Sequence, residues 1–521
     1  MALSRSRWSY SPLLGMSEVS FLEEGGGRVA AALALALLVL LPAAGAQLSP
    51  DVTAADLRAH VERLASDADA GRATGSPESA AAARELGELF AAAGLRPAGY
   101  QGFLQDIGWT GYDFVGAPEV AWIAADGTRT AGAFGGDFEY LGGPPRTGEL
   151  EVVVVHADSE GPRPPRADAA LVLVGGRRVA QKWLSDSGAP GGAGWGVLLI
   201  PSQAAYGPSR FGESRGLYRR ADGGGASEPL RLLVHGRLRD ALLGGQVEHV
   251  AVAVGAREPA SALNVVALLP GAGTPERPEL AQEAVVITAH YDHLGVLLAP
   301  EPPPAAAPPA SPEAPGEAPP EPDLVFNGAD DDASGCAAVL ELAAAFGAQA
   351  AAGAPPARTL IFLLVTGEEL GLLGTEYWLD HPAVPLERIV LNLNFEMIGR
   401  PDELAGGEGR LWLTGDERSN LGAAWRATGL PIAPDARPEQ HFFERSDNMA
   451  FVQRGIVGQT LSSYDLHPQY HTVEDEVGTL DFEHMEAAVR TALRAAQLVA
   501  DGTIMPAWVE GKPESRTGEG R

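Results

Sequence analysis

Apolar positions along this chain recur with two different periods, and the period changes with position. In residues 56–66, Leu57, Val61 and Leu64 recur at helical spacing. Residues 78–93 place alanines, Leu86, Leu89 and Phe90 on one face before Gly94 and Pro97 stop the helix. From about residue 116 to 255 the apolar runs shorten to ELEVVVVHA, AALVLVGG, GVLLI, LRLLVHG and HVAVAVGA, divided by turns rich in glycine and proline. This is the pattern of an inserted β-rich domain. Beyond Ser261 the pattern predicts strands at 285–288, 358–366, 389–394 and 456–461, a helix from Ser334, and a final helix over 481–500 with Phe482, Met485, Val489, Leu493 and Ala496 on one face. Strands alternating with helices predict an α/β fold.

The chemistry gathers where those strands end. Glu368 and Glu369 stand just past an apolar strand in LLVTGEELGLLG. A charged pair there is costly unless something binds it, and in open α/β sheets the strand ends are where ligands bind. ITAHYDHLG places His290 and Asp292 after the next such strand, NLNFEMIGR places Glu396, and LHPQYHTVED places His471. NGADDDASG sets Asp330, Asp331 and Asp332 just before a helix. Histidines and carboxylates converging on one sheet edge, without cysteine, describe a zinc site. Any one of them alone is as well read as a solvated loop charge or a helix cap; five such segments in a chain with 11 His are not.

These five segments, in this order, resemble those of the co-catalytic di-zinc peptidases of clan MH, which include bacterial leucyl aminopeptidases, glutamate carboxypeptidases and glutaminyl cyclases. The resemblance runs from about Asp51 to Gly502. It implies a mixed β-sheet flanked by helices on both faces, as in the zinc aminopeptidases, and two Zn(II) ions per chain. By this resemblance His290 and Glu396 hold one zinc, Glu369 and His471 hold the other, Asp330 bridges them, and Glu368 is the catalytic base. Asp292 resembles the carboxylate that orients His290, and Asp447, in RSDNMAF, the aspartate that supports the far histidine. Many relatives have Asp where this chain has Glu396, one methylene longer. The tandem glutamates have a physical reason: neighbouring residues at a strand end point in different directions, so Glu369 can face a metal while Glu368 faces water.

Other residues read as structural. His293 follows Asp292 and falls on the wrong side of the strand end. His467 precedes Pro468 and cannot form a helical metal pair with His471. Asp331 and Asp332 are helix caps, and Cys336 is a buried small residue. His441 could stabilise an oxyanion; Tyr464 and Arg445 flank site residues. Arg400 and Arg445 are the available cations for a substrate carboxylate.

Composition narrows the partners. The formal net charge is -30, lysine occurs only at Lys182 and Lys512, and a single cysteine excludes internal disulfides and Cys-based zinc sites. An acidic chain without basic clusters argues against nucleic acid and anionic membrane surfaces. Residues 29–42 form an apolar run behind Arg28, with Ala44-Gly45-Ala46 as a cleavage site before Gln47. This predicts export to a bacterial periplasm or exterior, the competing reading being an uncleaved membrane anchor. The expected organisation is a leader at 1–46, a first peptidase segment at 47–115, the insert at 116–255, a second peptidase segment at 256–502 and a disordered tail at 503–521. The stretch VLVGGRRVAQKWLSDSGAPGGAGWGVLLI resembles a protease-associated domain. A Pro/Ala/Glu tract at 300–322 cannot form a core and reads as a solvated loop. The resulting expectation is an exported di-zinc exopeptidase acting on peptide substrates, most simply an aminopeptidase. A carboxypeptidase, a glutaminyl-cyclase-like acyltransferase and a non-catalytic receptor or scaffold domain stay open.

Overall fold

The structure is a computed structural model that describes residues 51–156, 169–174, 196–200, 215–220, 229–297, 322–464 and 466–509. The leader, most of the Pro-rich tract, the middle of the stretch that resembles a protease-associated domain and the last residues of the chain lie outside the described residues.

The main sheet is mixed and ten-stranded. At its centre lie β1 (Ala284–His290), β2 (Thr359–Val365), β3 (Ile389–Phe395) and β4 (Gly458–Ser462), ordered β4-β3-β1-β2 and parallel throughout. Antiparallel strands extend both sides: Ala256–Leu269 beside β2, then Leu104–Phe114, and Leu411–Leu413 beside β4. Each expected core strand is present within one or two residues of its predicted ends.

Alternation along the strands sorts the side chains to two faces. Val285, Ile287, Leu360, Phe362 and Leu364 join a core with α1 (Ala54–Leu64), α2 (Pro77–Ala92), α3 (Gly335–Ala351) and α4 (Phe482–Ala500). The residues between them, Val286, Ile361, Leu363 and Val365, pack on the opposite face with Trp378, Leu379 and Phe451 from two shorter helices. Helices therefore cover both faces, which is why the parallel strands are apolar throughout. With its preceding turn, α3 spans Ala329–Ala351, the one helix among the described residues long and apolar enough to cross a membrane; it is packed inside this core.

Among the described residues, strands between Glu119 and Ala253 form a second, eight-stranded sheet with its own core of Val120, Phe138, Leu150, Val172, Leu198, Leu232 and Val250. One strand from within the expected insert belongs to the main sheet. Arg215–Arg219 leaves that sheet and pairs with Leu104–Phe114, so the main sheet is completed by a strand from inside the insert. The first residues of the expected tail pack onto the fold. Ile504 is buried, Trp508 bridges to Ser419, and the Val509 N–H reaches the Arg418 carbonyl at 2.9 Å.

One buried cation ties the loops above the sheet. Arg72 lies at φ 47, in the left-handed region, and is fully buried. Its guanidinium donates to the carbonyls of Tyr291 and Asn327, both at 2.7 Å, of Gly328 at 3.0 Å, and of Leu64. It thus clamps the loop after β1 to the loop before α3.

Candidate metal centre

All the expected site segments open from the same edge of the sheet, the C-terminal ends of β1 to β4. His290 is the last residue of β1. Its Nδ1–H donates to the Asp292 carbonyl (3.0 Å), so Nε2 faces the cleft, 3.2 Å from Asp331 Oδ1. Asp292 thus orients His290 through its backbone; its carboxylate is 3.8 Å from Nδ1 and accepts the Thr74 hydroxyl (2.8 Å) and the Glu368 N–H (3.2 Å).

The three aspartates before α3 diverge, because Asp331 (φ -104, ψ 92) and Asp332 (φ -129, ψ 43) break the helical geometry. Asp332 turns toward the helix start and accepts the N–H groups of Gly335 and Met397, both at 3.1 Å, and of His290 at 3.3 Å. Asp331 turns into the cleft. Its Oδ2 is 3.0 Å from His471 Nε2 and 3.9 Å from His293 Nδ1. Asp330 turns away, accepting the N–H of Gly399 at 2.7 Å and the Ser334 hydroxyl at 3.0 Å, and pairing with Arg400 at 2.5 Å. Asp330 is therefore not the bridging residue; its neighbour Asp331 occupies the central position, and Asp331 is not a helix cap.

His293 is corrected as well. Its Nδ1 sits 2.8 Å from Glu369 Oε1, and the ring packs against Gly328, where a Cβ would come within 2.6 Å of it. Gly328 lies at φ 55, so both its conformation and its neighbour require glycine. Two groups of donors result: His290, Asp331 and Glu396, and His293, Asp331 and Glu369, each with its donor atoms within 4.8 Å of one another. His471 Nε2 lies 3.3 Å from Glu369 Oε2 and adjoins the second group. Asp331 is common to both.

This donor set fits a pair of zinc ions. The atoms are imidazole nitrogens and carboxylate oxygens, the ligand types Zn(II) takes. Buried His293 Nε2 and Glu396 Oε2 have no hydrogen-bond partner, a condition that buried polar atoms rarely tolerate. The charges are out of balance too. Burial, then neighbouring carboxylates, raise Glu396 to about 7, and burial raises Asp447 to about 6. Glu368 is held well above the usual carboxylate range by burial and by Glu396, Asp447 and Glu369. Against burial, Asp331 and Glu369 raise His471 to about 10. Glu369 falls to about 2, despite burial and the Asp331 charge, through its hydrogen bonds to His293 and His471.

A small cavity opens on this cluster, lined by Asp331, Glu368, Glu369, Glu396, Met397, Phe442, Arg445, Tyr470 and His471. Glu368 belongs to neither donor group. Tyr470 stacks on His471 at 3.8 Å between ring centres, and burial plus the charges of Asp331, Glu369 and Glu396 push its phenol up, so it stays protonated. An aromatic directly before a ligand histidine was the available signal for Tyr470, which sequence reasoning passed over. His471 and Met397 sit at φ 54 and φ 51, local strain of a kind that clusters at functional sites.

The remaining expectations divide. His467 bonds Arg400 (2.9 Å) and belongs to the loop network, as expected. Cys336 is buried with its thiol on the His290 carbonyl. Asp447 does not support His471: it accepts the Thr375 hydroxyl (2.5 Å) at the head of the helix Asn448–Gln453, on the His290 side of the centre. His441 is exposed and is not part of the cavity wall. Arg400 is 8% exposed and fully engaged beneath the aspartates, which leaves Arg445 as the basic residue on the cavity wall.

Residues 264–496 match the profile of peptidase family M28. That stretch is similar to the M28 peptidases, and it holds every residue of the two donor groups. Among curated proteins, the chain is 29% identical over 179 residues to the vacuolar membrane protease of Lachancea thermotolerans, covering 33% of this chain and 17% of that protein. It is 27% identical over 170 residues to aminopeptidase YwaD of Bacillus subtilis, covering 31% and 35%. The chain thus spans about a third or less of the length of these relatives. Solved structures similar to it include an aminopeptidase from Aneurinibacillus sp. strain AM-1, at 18% identity and TM-score 0.49 over 88% of this chain and 96% of that one. A zinc aminopeptidase from Bacillus subtilis follows at 17% and 0.48, over 87% and 97%.

Proposed function

We propose that this chain is a zinc-dependent exopeptidase that removes N-terminal residues from peptides. The observation that carries the reading is one carboxylate, Asp331, shared by two buried donor groups, with a spare carboxylate, Glu368, on the same cavity wall. His290 and Glu396 would hold one zinc, Glu369 with His293 or His471 the other, and Asp331 both. When bound, such a pair supplies Lewis acidity toward a carbonyl oxygen and lowers the pKa of water.

The chain's own residues do the rest. Glu368, outside both groups, accepts the proton of the attacking water and returns it to the leaving amine. Tyr470, a protonated phenol on the wall, donates a hydrogen bond to the carbonyl oxygen as charge develops there. Met397 and Phe442 supply an apolar surface that excludes water from the reacting groups.

We favour amine recognition over carboxylate recognition because the cavity wall offers a substrate carboxylate a single cation, Arg445. The test uses peptides blocked at either end. Acetylating the N-terminus should abolish cleavage, since a buried polar pocket left without its charged partner loses several kcal/mol of transition-state binding. Amidating the C-terminus should change little. The opposite pattern would make the enzyme a carboxypeptidase. Export is inferred from the apolar run at 29–42 and the Ala44-Gly45-Ala46 site. For the insert, the protease-associated reading makes it a module that limits access to the cleft.

A further inference from the structure

Beneath the donor groups lies a second buried cluster that no step above uses. Arg400 Nη1 is 2.5 Å from Asp330 Oδ2, and Nη2 is 3.0 Å from Asp475 Oδ1; Nη1 also lies 2.9 Å from His467 Nε2. All four residues are buried. Burying one guanidinium with two carboxylates is a poor route to stability, because desolvation offsets the attraction. Its placement gives it another use. Asp330 adjoins Asp331, Arg400 follows Glu396 by four residues, and Asp475 follows His471 by four. Each charge therefore sits on a different donor-bearing loop. Asp475 also accepts the backbone N–H groups of Asp330 (3.0 Å) and Asp331 (3.1 Å), and its own carbonyl accepts Ala329 N–H (3.0 Å). The backbone that carries the shared carboxylate is thus hung from Asp475.

We propose that Asp475 and Arg400 are positioning residues that lock the Asp331, Glu396 and His471 loops into one register, so that the two metal subsites form as a unit. The proposal rests on the zinc-peptidase reading. Asp475→Asn is the directed probe: whichever way the amide turns, its NH2 meets an N–H of Asp330, Asp331 or Arg400. Arg400→Lys keeps the charge but cannot reach both carboxylates as a fork.

The experiment is a zinc titration of the full chain against a competing chelator, with melting of the zinc-free protein measured beside it. Asp475→Asn should melt, zinc-free, below wild type, because Arg400 loses a buried partner; under conditions where it is folded it should also bind both ions about 10- to 100-fold more weakly, as expected when a group supporting metal ligands is lost. Arg400→Lys should show a smaller loss, again shared by both ions. Unchanged zinc affinity in Asp475→Asn, with or without a lower melting temperature, overturns the proposal and leaves a purely structural ion cluster. Loss confined to one ion overturns it too. If Asp475→Asn does not fold, Arg400→Lys decides in the same titration. A wild-type chain that binds no zinc overturns the peptidase reading itself, and this proposal with it.

Discussion

Asp331 Oδ1 lies 3.2 Å from His290 Nε2, across a cleft that no other carboxylate of the GADDDASG loop enters. That distance separates two roles that the sequence leaves side by side. Asp331 joins both donor groups, while Asp330 pairs with Arg400 below them.

Asp331→Ala should therefore abolish zinc binding at both subsites. Asp330→Ala should retain a stoichiometry near two at saturating zinc, with weaker affinity and a less stable fold, because Arg400 loses a buried partner. Elemental analysis of both variants checks this. Loss of both ions in Asp330→Ala alone would restore Asp330 as the bridge.

The fold was readable because its signal is periodic. Thr359–Val365 and Ala284–His290 alternate between two apolar faces, and such strands cannot lie anywhere but inside a covered sheet. The segments that bear the site were readable because charge follows those strands at once, as at His290 and Glu396. What stayed hidden was the direction of individual side chains in irregular loops. Three consecutive aspartates look equivalent until φ and ψ of Asp331 and Asp332 are known. His293 was misjudged because strand alternation was carried past the end of β1, where the chain has already turned. The pairing of Arg215–Arg219 with Leu104–Phe114 is a long-range choice between sheets, and no local period encodes it.

The two adjacent glutamates should separate cleanly. Glu368→Gln is expected to keep both zinc ions and lose about 10²–10⁴-fold in rate, the usual contribution of general acid–base catalysis. Glu369→Gln removes a donor from the group with His293 and should release one ion. Rate measurements paired with metal analysis decide; zinc loss in Glu368→Gln with retention in Glu369→Gln reverses the assignment.

Zinc and pH should be coupled. In the zinc-free protein Glu396 and Asp447 are raised, to about 7 and about 6. A raised carboxylate binds its proton more tightly folded than unfolded, so its contribution is full below the unfolded value and is lost as pH rises through the folded one. Zinc-free protein should thus lose stability between about pH 4 and 7. Over that window Glu369, lowered to about 2, is already ionised in the folded state. His484, lowered by burial, works in the opposite sense, but it does so with or without zinc. The difference between melting curves of zinc-free and zinc-loaded protein isolates the site. That difference should widen toward pH 7, and less so in Glu396→Gln. A difference independent of pH in the wild type removes the electrostatic account of the centre.

Arg72 offers a test of the scaffold apart from the chemistry. Its guanidinium satisfies the carbonyls of Leu64, Tyr291, Asn327 and Gly328, and burial lowers its pKa, so its charge is held there at a cost that those acceptors and the nearby charges of Asp69, Asp292 and Asp331 offset. Arg72→Met fits the volume but removes the donor from the Leu64, Tyr291 and Asn327 carbonyls, while Gly328 keeps the Ala333 N–H; each buried acceptor is worth about 1–3 kcal/mol when orphaned. The losses are not additive, yet on the order of 4 kcal/mol is expected. Arg72→Lys should recover little, since one ammonium cannot span acceptors on three separate segments. Denaturant unfolding of zinc-free protein gives the number directly, free of any change in metal affinity. A loss below about 1 kcal/mol would be that of an ordinary surface substitution. It would mean that the loops after β1 and before α3 hold their places without the clamp.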